Sequence, residues 1–316
     1  MKLRIGSRGS QLALWQAKHV AGLLCGQGHS VEIEIIKTTG DRLQAAPFAQ
    51  VGSKGMFTQE IEEALAAGRV DLAVHSLKDL PTETPELFTL AAIPPRVDPR
   101  DAFVSVKFEN LAALPAGARV GTSSQRRRAQ LKALRPDVEA VEFRGNVDTR
   151  LRKLAVGQVD AILLAAAGLD RLEKTEWIRA RLEPEAFCPA AGQGALAIET
   201  RKSDSATIAA VAFLENAATR FAVTAERAAL AALGGGCQVP IGVHCRSRME
   251  SGNEAGLWDE IFAVVAAPET GLAVRVFYRT LQAGADPVAL GRLAAQKLVE
   301  AGATPLLAAA ARGEAQ

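Results

Sequence analysis

Two segments of the chain open alike, and this duplication narrows the possible architectures more than any other feature. "LRIGSRGSQLALWQA" from Leu3 and "ARVGTSSQRRRAQL" from Ala118 each read as a short apolar strand, a turn of glycine with serine or threonine, and a helix with apolar residues at helical spacing. Further along, "AGRVDLAVHSL" (67–77) and "VGQVDAILLAAAGL" (156–169) both run from a helix-ending glycine through Val-Asp into a strand of the fully buried kind. The pattern predicts two related α/β domains, each a strand–helix alternation around a mainly parallel sheet. Chance likeness of short Gly-Val-Asp strings is the competing account. "PPRVDPRDAF" (94–103), with three prolines, suits a crossing between the domains, and "PAAGQGALAIE" (189–199) suits the return.

The last hundred residues break the pattern. An alanine-rich helix at about 217–233 leads into "LGGGCQVPIG", and three strand-like runs follow, "QVPIGVHCRS", "EIFAVVAA" and "LAVRVFYRTL". A final helix starts with Asp286 as N-cap and Pro287 in its first turn. This reads as a small α+β domain with a three-stranded antiparallel sheet. Cys237 opens it, so its thiol is expected to face the cleft between the larger domains.

Composition allows this plan: 316 residues, 48% hydrophobic and 23% charged, supply two or three cores. No apolar run is long enough to span a bilayer and no signal-peptide core precedes the first strand, so a soluble cytoplasmic protein is expected, without a membrane partner. A net charge of +2 sets up no global field for nucleic acid. Arginine outnumbers lysine 26 to 11, which suits two-pronged capture of carboxylate or phosphate and is equally what a GC-rich genome would produce. The four cysteines (25, 188, 237 and 245) and four histidines (19, 29, 75 and 244) show no metal-ligand spacing, so no metal site is expected and the thiols are read as free.

Both repeated turns deliver hydroxyls and free backbone N–H groups to a helix N-terminus, where an anion is favoured. Arg8 joins the first; Arg126, Arg127 and Arg128 join the second, with Arg144 and Arg150 close by in "FRGNVDTR". Two facing anion sites fit a ligand with several carboxylates or phosphates; capping residues on a solvated face are the plainer alternative. "HSLKDLP" places Lys78 and Asp79 at the carboxyl end of a strand, where open α/β sheets bind ligands, and His75 reads as structural. "VGSKGMF" puts Lys54 near the end of a long polar loop. Cys237 has no histidine near it in sequence, so it is either a covalent anchor or structural.

Taken in order, "RGSQLALWQ", "VGSKGMF", "VHSLKDLP", "DPRDAFVS", "GTSSQRRRAQL", "RGNVDTRLRKL", "AAGLDRL", "AGQGALAIE" and "TAERAALAALGGGCQVPIG" resemble the blocks of the porphobilinogen deaminase (hydroxymethylbilane synthase) family over nearly the whole chain. The resemblance implies three domains, the first two like those of periplasmic binding proteins: 1–98 with 195–215, 99–194, and 216–316. It implies that Cys237 carries a dipyrromethane cofactor through a thioether. Four porphobilinogens are then joined head to tail with loss of ammonia, through azafulvene-like cations, and water releases hydroxymethylbilane.

By matching position, the resemblance makes Asp79 the catalytic carboxylate. It assigns Arg8, Arg126, Arg127, Arg144, Arg150 and Arg171 to the acetates and propionates, assisted by Ser10, Lys54, Lys78, Thr122, Ser124 and Gln193. A monomer is implied as well. The sequence departs from the family at Ala231, Ala232 and Gly234, where relatives carry two basic residues and an acidic one; this bears on how the last domain's helix meets its neighbours. Two rival readings are a clamshell binding module without chemistry, which leaves Cys237 unexplained, and a nucleic-acid protein built on "QRRRAQLK", which lacks aromatic stacking partners.

Overall fold

A computed structural model describes residues 1–39, 58–235, 239–249, 257–280 and 285–313. The first lobe is built from β1 (Lys2–Ser7), α1 (Gln11–Gly26), β2 (Ser30–Ile35), α2 (Gln59–Ala66), β3 (Leu72–Ser76) and β4 (Phe88–Ala92). The chain then crosses to a second lobe of β5 (Asp101–Val104), β6 (Arg119–Gly121), α3 (Gln125–Leu134), β7 (Glu139–Val141), α4 (Val147–Ala155), β8 (Ala161–Ala165), α5 (Ala166–Arg171) and β9 (Ile178–Leu182). It returns to the first lobe with β10 (Leu196–Arg201) and α6 (Ser205–Val211). The C-terminal unit follows: α7 (Ala217–Ala232), β11 (Ile241–Met249), β12 (Leu257–Ala266), β13 (Ala273–Arg279), α8 (Pro287–Glu300) and α9 (Thr304–Gly313).

The first sheet runs β2-β1-β3-β10-β4 and the second β7-β6-β8-β5-β9, so the two lobes match strand for strand. The predicted duplication is real at the level of topology, and the helix-ending Gly68 and Gly157 share positive φ values of 66° and 75°. The sheets differ from the expected mainly parallel form in one respect. β1 is parallel to β2 and β3, and β6 to β7 and β8, but β10 and β5 run antiparallel to both their neighbours. Each occupies the fourth place of its sheet and reaches it from the other lobe, not from a local helical crossover, so the right-handed β-α-β rule that forces parallel pairing does not act on it. The mixed α/β class stands, with two exchanged strands tying the lobes together.

β3 and β8 are the deepest strands. Leu72–His75 and Ala161–Leu164 are buried residue after residue, as expected of strands covered on both faces. Leu3, Ile5, Val20, Leu24, Leu72 and Ile198 centre the first lobe's core. Two clusters, around Leu154 and Ile162 and around Phe103 and Leu163, lie on opposite faces of the second sheet. Burial of such side chains contributes about 1.5–3 kcal/mol each relative to exposure.

The C-terminal sheet is antiparallel in the order β11-β12-β13. One face, with Val243, Cys245, Ile261, Ala263 and Val265, packs on α7 and α8. α7 ends one residue earlier than its sequence suggests, in a defined cap: Gly234 N–H donates to Ala231 O (3.0 Å) and Gly235 N–H to Leu230 O (2.9 Å). Gly234 has φ +68°, a left-handed conformation that glycine adopts without strain, whereas a Cβ on Gly235 would stand 2.6 Å from Leu230 Cδ1. The departure from the family at Gly234 therefore has a physical reading as a helix terminator. Ala231 and Ala232 lie exposed on the last turn of α7. Among the described residues no single helix is long and apolar enough to cross a membrane.

Candidate functional site

Asp79 is presented by a single 3-10 turn, Leu77–Asp79, that caps β3. Leu77 and Leu80 on either side are buried, and Leu80 N–H donates to Leu77 O (3.1 Å), so two apolar anchors hold the turn and leave the Asp79 side chain exposed. Leu77 N–H also donates to Ala195 O (3.0 Å), which ties the turn to the returning segment. Lys78 Nζ points to Gln193 Oε1 at 3.4 Å. Burial, with the nearby Arg127 and Arg126 guanidiniums, outweighs the attraction of Asp79 and Asp101 and pushes Lys78 down to about 8.

The second lobe answers with a cluster around Asp101, the first residue of β5 and fully buried. Arg126 Nη1 donates to Asp101 Oδ2 (2.7 Å) and to Cys188 O (2.7 Å). Arg127 grips Asp101 Oδ1 through Nε (3.0 Å) and Nη2 (2.7 Å). Gln193 Nε2 donates to Asp101 Oδ1 (3.0 Å) and Pro99 O (2.7 Å). Burial alone would raise the Asp101 carboxyl, but the two guanidiniums override it and hold it well below the usual carboxylate range. The sequence reading gave Asp101 no role; the only signal was a lone acid ahead of the apolar Ala102–Val104 run in a lobe carrying three successive arginines.

Arg150 and Arg171 are different. Arg150 donates to Gly145 O (2.7 Å) and Ser123 Oγ (3.4 Å), and Arg171 to Gly194 O (2.8 Å). Neither makes an ion pair with a described residue, although burial, reinforced at Arg150 by Arg127, pushes both down to about 10. At neutral pH they remain cations whose hydrogen bonds reach only neutral oxygens. Arg144 stays at the surface, donating through Nε to Glu142 Oε1.

The expected hydroxyls sit at helix starts. Ser10 Oγ accepts from Ala13 N–H (3.3 Å) to open α1, and Ser124 Oγ accepts from Arg127 N–H (3.4 Å) to open α3. Thr122, fully buried, accepts from Ser124 N–H (3.2 Å). Each keeps an O–H to donate. Arg8 lies at the end of β1, partly buried, beside the α1 N-terminus; α1 meets the other lobe where Leu12 lies beside Gly168 of α5, the helix that carries Arg171. His75 is buried against Glu199 at 3.0 Å. Lys54 and Cys237 lie outside the described residues.

The structure thus groups Lys78 and Asp79 from the first lobe, Gln193 from the return crossing, and Arg126, Arg127, Arg150 and Arg171 from the second. A second group missed from sequence locks the C-terminal unit to both crossings: buried Glu226 of α7 accepts from Arg96 Nη1 (2.6 Å), Gly192 N–H (2.7 Å) and Cys245 N–H (2.8 Å).

Residues 3–209 match the model of the porphobilinogen deaminase dipyrromethane cofactor-binding domain, and residues 220–300 match that family's C-terminal domain. The chain belongs to the porphobilinogen deaminase family. A porphobilinogen deaminase of Nitratidesulfovibrio vulgaris is 49% identical over 314 residues, covering 97% of this chain and 96% of its own length. One of a Roseiflexus species is 50% identical over 308 residues, covering 97% of this chain and 98% of its own. A methionine-binding lipoprotein of Bacillus subtilis, described as putative, shows a weaker structural likeness, with a TM-score of 0.42 and 14% identity over 67% of this chain and 89% of that one. Membership brings the dipyrromethane cofactor, porphobilinogen as substrate and hydroxymethylbilane synthesis within tetrapyrrole assembly. The donor set fits such a cofactor. A dipyrromethane carries several carboxylates and needs cations that are not already neutralised, and Arg150 and Arg171 are of that kind.

Proposed function

We propose that this chain builds hydroxymethylbilane at the junction of its lobes, with Cys237 holding the dipyrromethane and Asp79 as the catalytic carboxylate. When bound, the cofactor supplies the pyrrole chain end to which porphobilinogen units are added before hydrolytic release. The observation that carries the reading is a pair of guanidiniums, the partly buried Arg150 and the buried Arg171, bonded only to neutral oxygens of Gly145, Ser123 and Gly194.

In this reading Arg8, Arg144, Arg150 and Arg171 take acetates and propionates directly, with Lys54, Ser10, Thr122 and Ser124 donating alongside. Arg126 and Arg127 add positive charge while Asp101 fixes their direction. Gln193 sets the spacing between Lys78 and that cluster. Asp79 accepts pyrrole N–H bonds and stabilises positive charge as ammonia leaves. We assign residues 1–98 with 195–215, 99–194 and 216–316 to three domains, in line with the membership of the three sheets. The chain acts as a cytoplasmic monomer without nucleic-acid or membrane partners; a net charge of +2 and free thiols at Cys25, Cys188 and Cys245 support this.

Intact mass tests the anchor. The purified protein should exceed its sequence mass by two porphobilinogens less two ammonias, and Cys237→Ser should show no excess. A bare mass in both, persisting after incubation with porphobilinogen, overturns the assignment.

Lys78 gives a pH test. Its proton is lost near pH 8 in the free enzyme, and with it a charge facing the substrate carboxylates. The value of kcat/KM should therefore decline above about pH 8, and Lys78→Arg should keep it level to higher pH. An alkaline limb identical in the two proteins would place the titration elsewhere.

A further inference from the structure

The turn that presents Asp79 is held from below and steered from its exit. Leu77 and Leu80 share one apolar cluster with Ile93, Ala195 and Val223 of α7. Apolar contacts are non-directional, so they sink the turn without deciding where its exposed side chain points. Direction needs hydrogen bonds. Leu77 N–H supplies one on the entry side by donating to Ala195 O (3.0 Å). On the exit side the chain leaves through Leu80, Pro81 and Thr82, and no backbone N–H of a described residue donates to their carbonyls. From Glu83 to Leu87 the chain is exposed.

One side chain takes the place of those donors. Arg227 lies on α7 one turn beyond Val223, and so on the same face. It donates through Nη2 to Pro81 O (2.6 Å) and Thr82 O (3.0 Å), while Nη1 lies 3.5 Å from Leu80 O. Bonds from a charged donor are stronger than neutral ones, and a guanidinium sets its donors in a rigid fork. Beside them a hollow of about 240 Å³, lined by Leu77, Leu90, Val223, Ala228 and Ala231, leaves the exit segment room to shift. The bonds from Arg227 oppose that shift. The same helix ends at Ala232, and Cys237 follows five residues further along the chain.

We propose that Arg227 is a positioning residue for the reaction: by clamping Leu80–Thr82 it holds the Asp79 carboxylate in the frame of the helix that leads to the cofactor cysteine. This rests on the role of Asp79 proposed above. The clamping donors are engaged with main-chain carbonyls, so Arg227 acts through the turn and not on the substrate. Its loss should therefore appear in kcat and leave KM little changed, since the substrate carboxylates are assigned to other residues.

The test uses full-length holoenzyme whose intact mass shows the anchored cofactor. Arg227→Ala should lower kcat about 10–100-fold, the upper end being the loss expected of a misplacement of about 1 Å, with KM for porphobilinogen within about 3-fold of the parent. Arg227→Lys, which keeps the charge without the fork, should recover part of the rate. Arg220→Ala, which strips the same helix of its contacts to Glu215 and Leu90 O, should reduce stability and leave kcat within about 2-fold. The deciding experiment is a double-mutant cycle. In an Asp79→Asn background, Arg227→Ala should lower kcat by less than about 2-fold more, because the group it positions is gone. A kcat for Arg227→Ala within about 2-fold of the parent overturns the proposal. So do equal losses in the two backgrounds, and if Asp79→Asn is itself slow they overturn the part of Arg227 alone. A normal rate for Asp79→Asn overturns the role of Asp79 and this proposal with it. If Arg227→Ala fails to fold, Arg227→Gln, which keeps the stem and one N–H₂ group, runs the same cycle against the same outcomes.

Discussion

Asp101→Ala should cost about 3–5 kcal/mol of stability, the range found when one partner of a buried ion pair is removed and the other is left charged in the interior. Here two guanidiniums are stranded together, Arg126 and Arg127, along with one hydrogen bond of Gln193. Urea unfolding at pH 7, followed as the first transition of the second lobe, measures the loss; a change below about 1 kcal/mol would show that the arginines find other partners. The same cluster fixes an acid limb. The folded Asp101 carboxyl lies well below its unfolded value near 3.9, so its contribution is complete above that value and fades as the pH falls beneath it. Asp101→Asn should flatten stability against pH below about 4. An acid limb as steep as that of the parent would assign the titration to other carboxylates.

The lobes were legible in the sequence because the duplicated segments carry their own local signals: a strand, a glycine turn, a capping serine and an apolar helix face, all within fifteen residues. Ser10 and Ser124 cap α1 and α3, the plainer of the two roles their turns allowed. What was not legible depends on contacts between distant segments. "DAFV" and "LAIETR" are ordinary apolar strands on the page, and nothing local says that each inserts antiparallel into its sheet after crossing from the other lobe. Asp101 escaped for the same reason, since its partners are 25 and 26 residues away on α3 and the acid becomes necessary only once both arginines are buried. Glu226 is a further case: on the sequence it is one charge in an alanine-rich helix, and in the fold it joins Arg96, Gly192 and Cys245 across three segments. Nothing local in the run of glycines before Cys237 says that Gly234 takes a left-handed cap or that Gly235 lies close against Leu230.

Asp79→Asn should lower kcat by about 10²–10³, the loss seen when one preorganised group facing developing charge is removed, equivalent to about 2.7–4 kcal/mol at the barrier. The geometry makes this substitution informative. Asp79 is exposed on a turn anchored by buried Leu77 and Leu80, so asparagine leaves the anchors untouched and stability should move by less than about 0.5 kcal/mol. The groups assigned to the substrate carboxylates are also intact, so KM should change far less than kcat, the pattern of an interaction made chiefly in the transition state. Asp79→Glu, which keeps the charge on a longer arm, should recover part of the rate. Each measurement is made on protein whose intact mass shows the anchored cofactor, which separates a failure of chemistry from a failure of loading. If kcat stays within about tenfold of the parent, or if KM rises in step with its fall, Asp79 is a binding group and the charge that forms as ammonia departs is stabilised by another residue.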